Sequence, residues 1–277
     1  MNTPDISIIL PVYNGSALLP RAIHSIISQT FKNFELIIVD DCSTDNSLDV
    51  AQDFAAKDNR IKIIQNPCNQ KLPASLNNGF AASKGAFLTW TSDDNFYYPN
   101  ALERMHKELI YSGVDLIYAD YDTIDVNGAV LKQTKLKKPN HLFMRNQIGA
   151  CFLYKRKILD NLGGYRTDLF CAEDYEYWMR IWTKGFKLRH IPECLYAYTD
   201  NPMSLTSTKR NLVIEKTIQL KMEYVDIVPV SAMTKVKALF KLYRKSPSEE
   251  LLLTMKRLSP LFFKYLLLRY RIIGKIS

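Results

Sequence analysis

The sequence predicts an α/β fold in which a mostly parallel sheet is flanked by helices and followed by a helical extension. Short apolar runs alternate with segments of helical period through the first hundred residues, which is typical of parallel strands joined by helices. The helical pattern then continues almost without interruption after residue 205. We therefore expect a main domain over residues 1–205 and a basic, amphipathic helical region over residues 206–277.

The first elements follow from a change of hydrophobic period. Residues 6–12 form a continuous apolar run and predict a buried strand, whereas Leu19, Ile23 and Ile26 recur at helical spacing and predict a helix over residues 16–30. A second buried strand follows at residues 35–39. The same alternation predicts a helix after Ser43, a strand at 61–64, a helix at 74–83 and a strand at 86–90.

The pattern becomes less regular after Pro99. It predicts a helix to Ser112, a strand at 115–119 and a hairpin turn at Asn127-Gly128. Residues 120–170 are less regular and could hold a substrate. A helix over residues 173–183 and a strand near 188–191 complete the main domain.

The positive charge of the chain is concentrated at its C-terminal end. The chain carries 37 Lys and Arg and 28 Asp and Glu; residues 206–277 hold fifteen of these basic residues and five of the acidic ones. This region predicts helices broken near Pro229 and Pro247, and its final part is amphipathic, with basic residues beside an apolar face. Such a helix favours contact with an anionic membrane surface over nucleic acid. The members of the apolar face are Leu251, Met255, Leu258, Phe262, Leu266 and Ile273.

The location predicted from the sequence is the cytoplasm, with possible peripheral contact to the inner face of the cell membrane. The five cysteines are odd in number and widely spaced, which is typical of a reducing compartment. The N-terminal residues lack the pattern of a signal peptide, and no stretch approaches the about 20 apolar residues of a membrane span.

Polar residues follow three of the predicted parallel strands. Tyr13 comes after the first strand, Asp41 after the second, and Asp93 and Asp94 after the fourth. Ligands bind beyond the carboxyl ends of strands in open sheets of this kind, so these residues are expected to line one cleft. Tyr13 could stack on a flat base, and an aspartate at a strand end could accept hydrogen bonds from a base or ribose.

Two neighbouring carboxylates, those of Asp93 and Asp94, repel each other unless a cation offsets their charge. Oxygen ligands favour Mg²⁺ or Mn²⁺, which could hold a diphosphate and neutralise the charge that develops as it leaves. The alternative is a pair of solvated loop carboxylates. Asp174, at the start of a predicted helix, could have a raised pKa and act as a general base, or could simply complement the helix dipole.

Four segments in the same order resemble glycosyltransferase family 2. They are SIILPVYN at residues 7–14, IVDDCSTD at 38–45, TSDDN at 91–95 and AEDYEYW at 172–178. Residues 90–99 are especially similar to the bacterial spore-coat polysaccharide branch of that family. The resemblance covers about residues 4–205 and implies a GT-A fold and inverting transfer of a sugar from a nucleotide diphosphate.

The resemblance also implies roles for individual residues. Tyr13 would stack on the pyrimidine of the donor, Asp41 would hydrogen-bond it, and Pro11 would shape that loop. Lys71 and Asp93 would lie near the nucleotide, Asp94 would ligate Mg²⁺ or Mn²⁺, and Asp174 would be the catalytic base. Asn77 and Gly85 match the framework. The implied partners are a UDP- or dTDP-sugar and a glycan or lipid-linked acceptor, with a bacterial cell-surface polysaccharide as the product.

The sequence departs from the family pattern at two places. Thr91 occupies the position of the first Asp in the usual Asp-x-Asp-Asp motif, and residues 198–203, which directly precede Ser204, contain no Arg or His. The sequence leaves two other functions open. A nucleotidyltransferase usually has a Gly-rich basic loop after the first strand, and a non-catalytic nucleotide-sugar-binding relative would have no need for Asp174.

Overall fold

The computed structural model describes residues 3–269 and contains one mixed sheet with helices on both faces. The strands are β1 (Ile6–Val12), β2 (Phe34–Asp40), β3 (Ile61–Gln65), β4 (Phe87–Trp90), β5 (Phe96–Tyr97), β6 (Leu116–Ile124), β7 (Val130–Thr134), β8 (Phe152–Lys155) and β9 (Leu188–Thr199). The helices are α1 (Leu19–Ile27), α2 (Ser47–Ala55), α3 (Leu72–Ala82), α4 (Ala101–Tyr111), α5 (Lys157–Leu162), α6 (Glu173–Thr183), α7 (Leu205–Thr208), α8 (Arg210–Tyr224), α9 (Ala232–Tyr243), α10 (Glu249–Leu258) and α11 (Pro260–Arg269).

The parallel part of the sheet is formed by the first four strands. The sheet order is β3-β2-β1-β4-β8-β6-β9-β5, with β7 paired to β6 outside this path. Strands β3, β2, β1 and β4 are mutually parallel, and β1 lies between β2 and β4. Every residue of β1 and β2 is buried, because helices cover both faces of the sheet there. The predicted α/β class is confirmed.

The second half of the sheet is mixed. Strand β8 pairs antiparallel with both β4 and β6, whereas β6 and β9 are parallel. The predicted hairpin at Asn127-Gly128 is confirmed by the antiparallel pair β6–β7, and Gly128 has a positive φ of 94° in the turn. Strand β8 and helix α5 were not predicted, because segments of four and six residues are too short to show a period.

Strand β9 is longer than its sequence suggested. The prediction covered residues 188–191, whereas the strand continues to Thr199. Pro192 falls where the register against β6 shifts, between the pairs Ala119–Ile191 and Asp120–Cys194, so the strand passes the proline through an irregularity rather than ending there. The extension brings Thr199 beside the end of β4.

Two polar contacts join the framework around the sheet. The Asn77 side chain donates to the Tyr165 carbonyl (2.8 Å) and accepts from the Tyr165 amide (2.7 Å), which joins α3 to the loop after α5. At Gly85, a Cβ atom would lie 2.5 Å from the backbone nitrogen of Ser7, so only glycine permits the close approach of this turn to β1.

The C-terminal helices pack into the main hydrophobic core. The predicted breaks near Pro229 and Pro247 are confirmed, and a further break at Ser259 separates α10 from α11. Leu220 of α8, Leu239 of α9 and Leu251 of α10 are fully buried in the cluster that also contains Trp178 of α6. The boundary at residue 205 stays a prediction, but α8 to α10 share their core with the sheet.

We expect Leu251→Ala to destabilise the whole chain by about 2–5 kcal/mol, because the substitution leaves a cavity in a shared core. Leu253 lies on the same helix and is 58% exposed, so Leu253→Ala is a matched control that should change the free energy of unfolding by less than about 0.5 kcal/mol. Urea denaturation followed by circular dichroism measures both. Equal effects of the two variants would contradict a shared core.

Candidate functional site

The predicted cleft lies where β1, β2 and β4 end side by side. Pro11 is buried within β1 opposite Val39, and the Tyr13 side chain just beyond it is 49% exposed. Asn14 has a positive φ of 54°, and its side chain accepts from the Thr44 amide at 2.7 Å. These contacts fix the loop after β1 against the loop after β2 and leave the Tyr13 ring accessible.

Asp41 organises the edge of this cleft. Its buried carboxylate accepts hydrogen bonds from the Asn66 side chain (2.8 Å), the Gln70 amide (2.8 Å) and the Lys71 amide (2.9 Å). Lys71 has a positive φ of 73° directly before α3, and its side chain is exposed. Asp41 therefore fixes the backbone conformation at Lys71.

Asp93 packs directly against the backbone of Gly15. A Cβ atom at residue 15 would lie 1.7 Å from an Asp93 carboxylate oxygen, so only glycine leaves room for this side chain. Burial, followed by repulsion from Asp94 and Asp45, raises the pKa of Asp93 to about 7. The carboxylate is thus held where negative charge is unfavourable in the absence of a cation.

Asp94 is half-buried beside Asp93 and is supported by residues from distant elements. The Asn201 side chain donates to its carboxylate at 3.2 Å, and its backbone carbonyl accepts from Arg21 (2.9 Å) and from the Thr199 hydroxyl. Burial raises the pKa of Asp94, while the Asn201 hydrogen bond and the Arg21 charge oppose that rise. Asn201 thus contacts Asp94 in the segment where the family usually has a basic residue.

Thr91 faces away from this carboxylate pair. Its hydroxyl shares a hydrogen bond of 2.6 Å with the Tyr196 hydroxyl and is buried, so this side chain supports the core behind the cleft. The shortened motif leaves Asp93 and Asp94 as the acidic residues at this strand end.

The two carboxylates after β4 fit one hard divalent cation whose other ligands come from a substrate. Mg²⁺ usually binds one or two carboxylates together with substrate phosphates rather than a complete protein cage. Asp93 and Asp94 supply two carboxylates, and no cluster of three or more His, Cys, Asp or Glu suited to a metal occurs within residues 3–269. A cation here would take its remaining oxygen ligands from a diphosphate or water.

Asp174 lies in the first turn of α6. Its two carboxylate oxygens accept from its neighbouring Tyr175 amide (2.6 Å) and from the Asn146 side chain (2.8 Å). Burial raises the pKa of Asp174, while these hydrogen bonds oppose the rise, and the pKa of the neighbouring Glu173 is also raised by burial. A carboxylate held in this way is a stronger base than one in water.

Asp94 and Asp174 both lie within electrostatic reach of Tyr198. Burial raises the pKa of the Tyr198 hydroxyl to about 12, and the negative charges of both Asp94 and Asp174 contribute to that rise. Asp174 and Asn146 also line a cavity of about 770 Å³ between the main domain and helices α8 and α9. Asp94 of the carboxylate pair and the single carboxylate of Asp174 thus both act on Tyr198, and a cavity adjoins Asp174.

Comparison with known proteins establishes the family. Residues 7–163 match the model of glycosyl transferase family 2. The chain belongs to glycosyltransferase family 2. It is 32% identical over 203 residues to the putative glycosyltransferase EpsE of Bacillus subtilis (strain 168), covering 70% of this chain and 72% of that protein. An uncharacterized glycosyltransferase of Haemophilus influenzae is 34% identical over 143 residues, which are 51% of this chain and 57% of that protein.

Solved structures confirm the GT-A fold of this family 2 chain. Staphylococcus aureus TarS 1–349 in complex with UDP-GlcNAc aligns with a TM-score of 0.70 at 16% identity, covering 93% of this chain and 80% of that one. The mannosyltransferase PcManGT from Pyrobaculum calidifontis, in complex with GDP-Man and Mn²⁺, aligns with a TM-score of 0.68 at 16% identity, covering 100% and 82%.

Four supporting residues in this family 2 chain were not assigned from the sequence. Gly15, Arg21, Asn146 and Asn201 contact Asp93, Asp94 or Asp174, yet none is a typical catalytic type in a recognisable local pattern. One feature of the sequence pointed to Asn201, because it lies in the segment that lacks the usual basic residue. No local pattern pointed to Asn146, since 28 residues separate it from Asp174.

We expect Asn146→Ala to raise the pKa of Asp174 further, because the variant removes a hydrogen bond that favours the ionised carboxylate. Carboxyl ¹³C chemical shifts measured against pH in protein labelled at aspartate report this pKa. Asn140→Ala, an exposed change in the same loop, is the control and should leave the Asp174 titration unchanged. The assignment of Asn146 fails if both variants titrate like the wild type.

Proposed function

We propose that this family 2 glycosyltransferase is an inverting, metal-dependent enzyme that transfers a sugar from a UDP-sugar to a hydroxyl of a glycan or lipid-linked acceptor. The observation that carries the proposal is that one segment adjoins both acidic sites: the Thr199 hydroxyl donates to the Asp94 carbonyl, and Thr206 lines the same cavity as Asp174. A leaving diphosphate needs positive charge, and an attacking hydroxyl needs a base.

The donor half of the site is assigned as the family resemblance implies. The accessible Tyr13 ring stacks on the pyrimidine, Pro11 shapes the loop before it, and Asp41 accepts a hydrogen bond from the base while it holds the loop that carries Lys71. Asp93 contacts the ribose or the ligands of the cation. Relatives solved with UDP-GlcNAc and with GDP-Man make a nucleotide-sugar donor the natural expectation, with dTDP-sugars as an alternative to UDP-sugars.

The reaction is a single in-line displacement. The acceptor oxygen attacks the anomeric carbon from the face opposite the nucleotide, Asp174 takes the proton of that hydroxyl, and the bond to the diphosphate breaks, so the anomeric configuration inverts. Asp94, with Asp93 beside it, would hold Mg²⁺ or Mn²⁺, and the bound cation would neutralise charge on the diphosphate. The Lys71 ammonium stabilises the same leaving group.

Two other functions fit less well. A nucleotidyltransferase would need basic groups in the loop after β1. In this loop the amides of Gly15 and Ser16 are instead already hydrogen-bonded within the protein, to Ser47 and Asp45. A non-catalytic binder of nucleotide sugars has no use for a buried carboxylate beside the acceptor cavity, and Asp174 is such a group.

Nucleotide binding separates the two halves of the proposed site. We expect UDP to bind in the presence of Mn²⁺ to the wild type and to Asp174→Asn, but not to Asp94→Ala, in calorimetric titrations with UDP and dTDP. We expect transfer by Asp174→Asn to fall at least about 100-fold, because the general base is removed. Asp53→Asn changes an exposed carboxylate and should behave like the wild type. Absence of binding of either nucleotide to the wild type, with or without metal, would refute the donor assignment.

Peripheral binding to an anionic membrane is proposed for α10 and α11, consistent with an acceptor on the cytoplasmic face of a bacterial membrane. No helix within residues 3–269 combines the length and apolar character of a membrane span. Leu251, Met255 and Leu266 of the predicted apolar face are buried in the core, and Ile273 lies outside the described residues. The exposed apolar side chains are Leu253, Leu261, Tyr265 and Leu268, with exposed Lys256, Arg257 and Lys264 nearby in sequence.

Leu261 and Leu268 lie two turns apart on one face of α11 and are 85% and 55% exposed, so Leu261→Ser/Leu268→Ser should reduce flotation with anionic liposomes. The matched control is Val130→Ser/Leu131→Ser, which changes two exposed apolar residues on β7. Truncation is unsuitable because it would uncover the core. If both double variants float with the liposomes to the same extent as the wild type, α11 is not the membrane contact.

A further inference from the structure

The cavity beside Asp174 has a strongly basic lining. Two of its walls come from the main domain, at the loop around Asn146 and the N-terminus of α6, and the others come from α8 and α9. None of the residues assigned to the donor lines it. The basic residues that line it are Arg145, Lys221, Lys241, Arg244 and Lys245, and Asp174 is the acidic one.

Lys221 is the most unusual of these residues. It is 2% exposed, and burial, followed by repulsion from Lys241 and Lys245, lowers its pKa to about 7. Its ammonium donates to the Met144 carbonyl at 3.2 Å and lies 5.5 Å from the centre of the Phe143 ring. The Tyr175 ring lies 5.8 Å from the same ammonium. An ammonium has three N–H donors, and within residues 3–269 the Met144 carbonyl is its hydrogen-bond acceptor, so it retains donor capacity beyond these contacts.

Four of these five cations have no acidic partner among the described residues. Within the part of the chain that the structure describes, no Asp or Glu forms a salt bridge with Arg145, Lys221, Lys241 or Lys245, whereas Arg166 and Arg180 elsewhere each bind at least one carboxylate. Lys241 lies in the last turn of α9 and Lys245 lies two residues beyond its end, and the charges of both repel the Lys221 ammonium. Bound negative charge would offset this repulsion.

Helix dipoles do not account for this arrangement. Lys221 and Lys241 lie in the last turns of α8 and α9, where a cation is favourable. Each helix end, however, contributes only about half a negative charge, so two ends and Asp174 leave roughly two of the four positive charges of Arg145, Lys221, Lys241 and Lys245 unbalanced when all are ionised. The dipole also gives no reason to bury an ammonium.

We propose that this cavity binds the phosphate or diphosphate group of an anionic acceptor and thereby places the acceptor's hydroxyl at Asp174. The proposal rests on the proposed function, since it takes Asp174 to be the base. Several cations around one cavity suit a multiply charged phosphate better than a single carboxylate, and lysines bind phosphate as point charges. A volume of about 770 Å³ holds such a group together with a sugar. The phosphate could belong to a lipid diphosphate or to a phosphodiester polymer.

Calorimetric titrations without divalent metal test the proposal with three probes: pyrophosphate, decyl diphosphate and a glycerol phosphodiester dimer. We expect pyrophosphate to bind the wild type and to bind at least tenfold more weakly to Lys221→Met and to Lys241→Gln/Lys245→Gln. Lys32→Gln/Lys57→Gln removes the same two charges from exposed positions outside the cavity and should bind like the wild type. Lys241 and Lys245 are exposed, so their double variant should fold normally even if Lys221→Met does not.

The remaining probes identify the source of the phosphate. Tighter binding of decyl diphosphate, lost in the same two variants, supports a lipid-linked acceptor, and tighter binding of the phosphodiester supports a polymer. UDP binding with Mn²⁺ is measured for every variant and should not change. If UDP binds but pyrophosphate does not bind the wild type, or binds every variant equally, the acceptor inference is wrong while the donor site stands. If UDP does not bind the wild type, the proposed function itself fails.

Discussion

The parallel pairing of β1 between β2 and β4 is the constraint on which the rest of the structure depends. Helices cover both faces of these strands, so their interior tolerates few groups that lack hydrogen-bond partners, and polar groups gather where the strands end. Because the three strands run in the same direction, their ends meet at one edge. That edge holds Tyr13, Asp41, Asp93 and Asp94, drawn from segments up to 81 positions apart.

Close approach at this edge is controlled by small residues and by buried hydrogen bonds. Because Gly15 has no side chain, Asp93 can pack against its backbone. The Asp41 carboxylate accepts hydrogen bonds from two backbone amides, those of Gln70 and Lys71, which would otherwise bind water. The extended β9 supplies Thr199 and the adjoining Asn201 to Asp94. The carboxylates are thus fixed before any substrate arrives, so little reorganisation would remain for the reaction.

The two halves of the cleft carry opposite unbalanced charges. Asp93 and Asp94 are held together in a partly buried position, whereas the cavity beside Asp174 gathers basic side chains around the buried Lys221. An uncompensated charge in a partly buried site costs free energy, and each half would recover that free energy on binding a ligand of the opposite sign. The C-terminal helices are therefore part of the core, and α8 and α9 also form walls of this cavity.

The sequence by itself determined the α/β class, most of the parallel strands, α6 and the positions of the acidic clusters, because continuous apolar runs and helical periods are local signals. It also determined the family, since four motifs retain their order. The sequence did not reveal β8, the full length of β9 or the partners of Asp94 and Asp174. Only the tertiary structure decided that the basic C-terminal residues Lys221, Lys241 and Lys245 would line a cavity beside Asp174, and that Leu251 and Met255 would be buried. Charge and amphipathic period show that a helix has an apolar and a basic face, but which surface each face meets depends on packing between segments far apart in the chain.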